Sequence, residues 1–230
     1  MTTTRLSHSV QACTPEDRVT RSLLGYGVLA GPFYVLASLV EGLLRPGFDF
    51  TRHDWSLLAL GAFGWMHVLV LVLTGLMVAA SGVGVARALS RLHHASAPGW
   101  LLVAYGACLV GAGLFTADPA AGFPAGTPDT PPTQVSAHGM LHIAFGGLGF
   151  LALIVACLIM ARQFQKDRAR GWALFSLATG VLFLASFLGI AAGGAPGTAT
   201  ILLFTAGVLL SWTWLSLVSR RLYVRLGRGA

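Results

Sequence analysis

Six runs of about twenty apolar residues, separated by short charged or proline-rich segments, constrain this chain more than any other feature. They occupy residues 22–44, 63–86, 98–117, 136–161, 171–193 and 198–218. A helix satisfies its own backbone polar groups and so can cross a lipid bilayer in runs of about 20 residues. The pattern therefore predicts an all-α integral membrane bundle of six transmembrane helices. Residues 1–21 form a tail before the 22–218 membrane domain, and residues 219–230 a basic tail after it. Charged residues make up only 10% of the chain, against about 25% in soluble domains. That is too few to solvate a globular surface, which excludes a soluble enzyme and a disordered chain. The net charge of +7 reads as loop charge beside a bilayer, not as a nucleic-acid surface. Three cysteines, Cys13, Cys108 and Cys157, make no disulfide framework.

The cations are sorted. Arg5, Arg18 and Arg21 precede the first span. Arg87 and Arg91 follow the second. Arg162, Lys166, Arg168 and Arg170 follow the fourth, and Arg220, Arg221, Arg225 and Arg228 follow the sixth. Only Arg45 and Arg52 lie on the other side. By the positive-inside rule this predicts a bacterial cytoplasmic (inner) membrane protein with both termini in the cytoplasm. The acids lean the other way: Glu41, Asp49, Asp54, Asp118 and Asp129 fall at or beyond the outer ends of spans.

Two segments match at a fixed offset. Gly64-Trp65-Met66-His67 opens the second span and Gly139-Met140-Leu141-His142 opens the fourth. Ala86-Arg87 and Ala161-Arg162 follow at equal distance, then Gly99-Trp100 and Gly171-Trp172. The spacing predicts a parallel internal repeat of helices two–three and four–five, with His67 and His142 pseudo-equivalent. Gly27/Gly31 and Gly189/Gly193 have the small-xxx-small spacing of close helix packing.

Ionisable side chains inside spans are costly and point to a site or a wet cavity. Here they gather at the outer ends. Glu41 sits near the end of the first span, His67 one turn into the second, Asp118 at the end of the third, and His138 and His142 on one face of the fourth. The segment from Arg45 to Ser56 adds Asp49, Arg52 and His53, and reads as an interfacial or re-entrant stretch. The loop from Asp118 to Val135 carries five prolines and reads as an extended connection or a lid.

Three chemistries fit these residue types. His138, His142 and His67 have the character of divalent-metal ligands, zinc above all, with Asp49 or Asp118 as orienter or base and Ser56 as a further catalytic candidate. Glu41, Arg45, Arg52 and His53 would then bind the ligand, the arginines holding an anionic group. Haem held by His67 and His142 is the alternative cofactor. A transporter whose His–carboxylate pairs titrate is the non-enzymatic reading, and an accessory protein with a merely structural polar network is another. The expected partners are the lipid bilayer and a small or lipid-like ligand, with no nucleic acid. The most concrete version is a metal-dependent membrane hydrolase.

The run Leu44-Arg45-Pro46-Gly47-Phe48-Asp49, with His53, Ser56-Leu57-Leu58-Ala59-Leu60-Gly61 and Gly64-Trp65, resembles the signature of a bacterial and archaeal membrane family, domain of unknown function 998. Leu114-Phe115-Thr116-Ala117-Asp118-Pro119, His138-Gly139-Met140-Leu141-His142 and Arg170-Gly171-Trp172 before Ser176-Leu177-Ala178-Thr179-Gly180 fit the same resemblance, which spans Leu23 to Val218. It implies a polytopic fold and no particular activity. A looser similarity is to membrane hydrolases of the alkaline ceramidase and progestin–adiponectin receptor type. It implies zinc roles for His138, His142 and His67 beside Ser56 and Asp118, although helix count and motif order differ.

Overall fold

A computed structural model describes residues 15–129, 134–192 and 197–228. Arg5, Cys13, Pro131, Pro132 and Gly193, singled out in the sequence, lie outside the described residues. The fold is all-α. Its helices are α1 (Pro15–Leu44), α2 (Gly64–Arg91), α3 (Ala97–Leu114), α4 (Ala137–Lys166), α5 (Arg170–Ala191) and α6 (Thr198–Arg228), with a short 3-10 helix, Trp55–Ala59, between α1 and α2. All six α-helices are long and apolar enough to cross a membrane.

Each helix packs on its neighbours in sequence, and α6 closes back on α1. The result is a ring of six. Its outside carries large apolar side chains such as Leu36, Leu43, Leu148, Leu174 and Leu203, each more than 60% exposed. Water would not tolerate so continuous an apolar belt, and lipid provides its cover.

The helices run past the apolar spans, mostly at one end. α1 begins at Pro15, with Glu16 and Asp17 at the positive end of its dipole. α2, α4 and α6 continue to Arg91, Lys166 and Arg228. Apolarity reports the hydrocarbon thickness, whereas helicity continues where turns of Arg, Lys and Gln project into water. This basic end holds the start of α1 and the end of α6. Arg91 pairs with Asp17 and, at 3.0 Å, with Glu16. Asp167 accepts from Arg225 at 2.9 Å and lies 3.0 Å from His94. Gln163 donates to the Ala95 carbonyl at 2.8 Å.

The far end is built differently. α3 stops at Leu114, where Phe115 turns extended, three residues before the apolar run ends. Ser136 caps α4, its hydroxyl accepting from the Gly139 N–H. The 3-10 helix buries Trp55, Leu57, Leu58 and Ala59, as the interfacial reading of this stretch anticipates. It enters α2 through Gly61, whose φ of +74° strains any residue with a Cβ.

α2 and α3 approach most closely. A Cβ on Gly106 would stand 2.5 Å from the Gly75 carbonyl oxygen, and one on Gly82 would stand 2.6 Å from the Val103 nitrogen. Gly27 of α1 likewise leaves room for the hydroxyls of Ser81 and Ser219. Fully buried apolar side chains such as Leu24, Val85, Leu89, Leu102, Met160 and Leu222 fill the basic half of the ring. The far half is not filled.

Candidate functional site

Most of the polar residues expected to bind a ligand hold the far-end loops in place. Arg45 does not pair with Glu41 one turn earlier. Its guanidinium donates to the carbonyls of Leu58, at 3.3 Å, and Leu60, and lies over the Phe123 ring. It thereby clamps the 3-10 helix. Arg52 pairs with Asp129 and reaches the Ala121 carbonyl at 3.5 Å.

His53, 2% exposed, accepts the Asp49 N–H at Nδ1 (2.9 Å), so its proton sits on Nε2, which donates to the Ala121 carbonyl at 3.0 Å. Both ring nitrogens are thus spent on joining two loops, and Phe48 and Phe123 pack around the ring. Asp49 accepts from the hydroxyl and N–H of Thr51 at 2.7 and 2.8 Å. Those bonds hold its carboxyl below the usual aspartate range. Asp118 accepts the Ser136 N–H at 2.8 Å and so fixes the start of α4.

Glu41 and His67 meet between α1 and α2, with Oε2 2.8 Å from Nδ1. His67 is fully buried and Glu41 8% exposed. His67 Nε2 has no partner. Tyr34 stands beside the ring, at 6.1 Å between centroids.

His142 does something different. Its Nδ1 lies 2.9 Å from the carbonyl oxygens of both Ala112 and Phe115. These are orphan acceptors at the end of α3, and a neutral imidazole satisfies them with an Nδ1 proton. His138 is exposed and packs edge-on against Phe115. The two histidines paired by the expected repeat therefore sit in unlike surroundings: one on a helix-borne carboxylate, the other on a frayed helix end.

His67, His138 and His142, expected as metal ligands, stand apart in separate surroundings. Among the described residues, no three His, Cys, Asp or Glu side chains come together as a metal ion requires. The reason is local. His67 is pinned to α1, His142 to the end of α3, and His138 turns out to the surface. Of the two histidines expected as a haem pair, His142 lines the interior space described next and His67 does not.

That space is a cavity of about 490 Å³ in the far half of the ring, walled by all six helices and the 3-10 helix. Its wall is mainly apolar: Leu71, Leu109, Phe150, Phe187, Phe204 and Trp212 represent the helices. Gly146, Gly147 and Gly149 thin the α4 side. Asp54, Ser56 and His142 line it towards the far end, and Tyr34, Tyr105, Cys108 and Thr205 add polar groups deeper among the helices. Ser56 donates its hydroxyl to Asp54. Of the site residues expected from sequence, Ser56 and His142 are the ones in this wall. Asp54, Tyr34, Tyr105 and Cys108 join them without having been singled out for it. A polar aromatic in mid-span, as at Tyr34 and Tyr105, is the sequence signal that would have found two of them.

These features define a polytopic α-helical membrane protein with an apolar interior cavity that is polar at one end. The chain belongs to the family described as "Protein of unknown function (DUF998)", whose model matches residues 28–221. No curated protein and no solved structure matches it.

Proposed function

We propose that this protein binds one lipid-like amphiphile inside the ring, apolar body among the helices and polar end at Asp54, Ser56 and His142. One observation carries the reading: a mainly apolar cavity whose one carboxylate, Asp54, stands with Ser56 and His142 towards one end. Its volume lies within the range of about 300–1,000 Å³ common to small-molecule sites. The loop network of Arg45, Arg52, His53 and Asp49 supports the binding role indirectly, by fixing the stretch of Asp54 and the 3-10 helix with Ser56, and Asp118 does so by fixing the start of α4, which carries His142.

Binding is favoured over hydrolysis. Ser56 is engaged by Asp54 and not by a histidine, so the wall lacks the nucleophile–base pair of acyl transfer. The far half of the ring faces the extracytoplasmic leaflet if the basic loops face the cytoplasm.

Gly146 provides the test. It lines the cavity, and a Cβ there meets nothing within 4 Å. Gly146→Phe therefore fills the space without displacing backbone. Native mass spectrometry of the purified full chain should show a single co-purifying or added amphiphile, weakened at least tenfold in Gly146→Phe. Equal retention by the folded variant would sink the cavity reading.

A further inference from the structure

Most of the polar groups at the far end of the cavity offer lone pairs rather than protons. Resting on the binding reading above, we propose that its ligand has a hydrogen-bond-donating head that is not an anion: a hydroxyl or a protonated amine.

The argument is an account of donors and acceptors. His142 Nδ1 faces two carbonyl oxygens at 2.9 Å each. A carbonyl only accepts, so the proton is on Nδ1, and Nε2 of the neutral ring is left an acceptor. Ser56 gives its hydroxyl proton to Asp54 and presents lone pairs. The Asp54 carboxyl accepts that bond and has acceptor capacity beyond it. All three of these groups at the far end therefore accept.

Charge points the same way. Asp54 is the one formally charged residue in the wall, which contains no Lys or Arg. The two arginines of this end are committed elsewhere, Arg45 to backbone carbonyls and Arg52 to Asp129. A carboxylate or phosphate head would bring a second negative charge, without a cation, into an apolar space, where such repulsion is screened least. A hydroxyl or ammonium head donates to these three acceptors at no such cost. Of the remaining polar groups in the wall, Tyr34, Tyr105, Thr205 and Cys108 donate or accept, and the indole N–H groups of Trp55 and Trp212 only donate. Trp55 Nε1 has no partner among the described residues, and a hydroxyl head, which accepts as well as donates, matches it without adding negative charge.

The purified full chain in lipid nanodiscs at neutral pH offers the test. The probes share one chain: hexadecanol, hexadecylamine, hexadecanoate and hexadecyl phosphate, each with a bromine on the alkyl chain. With the lipid-facing Trp65 and Trp100 replaced by Phe, quenching of the cavity tryptophans, Trp55 and Trp212, reports binding as a function of mole fraction in the bilayer. The alcohol and the amine should bind at least about tenfold more tightly than the carboxylate and the phosphate. Asp54→Asn should lower amine affinity about tenfold and alcohol affinity far less.

A carboxylate or phosphate that binds as tightly as the alcohol overturns the head assignment. Equal binding of all four that Gly146→Phe abolishes does so too, while leaving the cavity reading intact. Absence of quenching by every probe, or quenching unaffected by Gly146→Phe, overturns both.

Discussion

At the scale of residues, the polar groups of the far end divide by what they touch. Glu41 and His67 form the most enclosed pair. They hydrogen-bond to each other, and among the described residues His67 Nε2 has no partner. Removing one member leaves the other desolvated, which costs more than the bond itself contributes. Glu41→Leu should destabilise the fold by about 2 kcal/mol, at the upper end for polar pairs within membranes. The double variant Glu41→Leu with His67→Leu should recover much of that loss. Reversible unfolding in mixed micelles measures both, and a double variant no better than the single would refute the pairing. Asp49 makes a pH-dependent statement of the opposite kind. The Thr51 hydroxyl bond is the largest cause of its lowered pKa, followed by the Thr51 N–H bond. A folded-state pKa below the unfolded one means that the loop is favoured while the carboxyl is ionised. That contribution is present at neutral pH and fades as pH falls through the lowered value. Thr51→Val should raise the Asp49 titration midpoint towards the ordinary aspartate range, as followed by carbon NMR of the carboxyl. An unmoved midpoint would remove Thr51 as the cause.

At the scale of elements, the interface of α2 with α3 is set by backbone meeting backbone. Gly75 and Gly106 face each other, and a Cβ on Gly106 falls 2.5 Å from one carbonyl oxygen and 2.6 Å from the Ala79 nitrogen. Neither atom can swing aside as a side chain would. Gly106→Ala should therefore part the two helices and cost about 1–3 kcal/mol, the usual range for overpacking. Gly25→Ala is the control, because a Cβ at Gly25 meets nothing within 4 Å. There the gain in helix propensity, about 0.5–1 kcal/mol, should dominate. Thermal unfolding of the two variants should move in opposite directions, and a destabilised Gly25→Ala would contradict the packing assigned to α1. The sequence reading singled out Gly27 and Gly31 by their spacing, and both do pack closely, against Ser81 and Ser219 and against the Trp212 backbone. Gly75 and Gly82 on α2, and Gly99 and Gly106 on α3, are each seven residues apart within one helix, and no local motif reports that the two pairs meet. Helix number, order and cores were legible for a simple reason: about 20 apolar residues have few other folds available in lipid. The site was legible only as a list of residue types. Spacing put His138 and His142 on one helical face, but it could not report that α3 ends early and draws His142 Nδ1 onto its last carbonyls.

At the scale of the whole molecule, the two ends of the ring handle charge in opposite ways. Cations crowd the basic end, and several of them, such as Arg91 and Arg225, lean on acids that tie loop to helix. The far end has two cations among its described residues, and both are consumed within its loops. Packing does not say which end faces the cytoplasm, since the ring is closed and apolar all round. Insertion does, because short loops rich in Lys and Arg are retained on the cytoplasmic side. The expectation is then that the far end, with its cavity, faces outwards, and on the proposed binding role an amphiphile would reach it from the outer leaflet. A fluorescent-protein fusion at the C-terminus should glow in a bacterial host. An alkaline phosphatase sandwich fusion in the far-end loop after Thr127 should be active. Both reporters test a single bit and should agree. An active phosphatase at the C-terminus would invert the protein, place the cavity in the cytoplasmic leaflet, and turn the supply of its ligand from the outside of the cell to the inside.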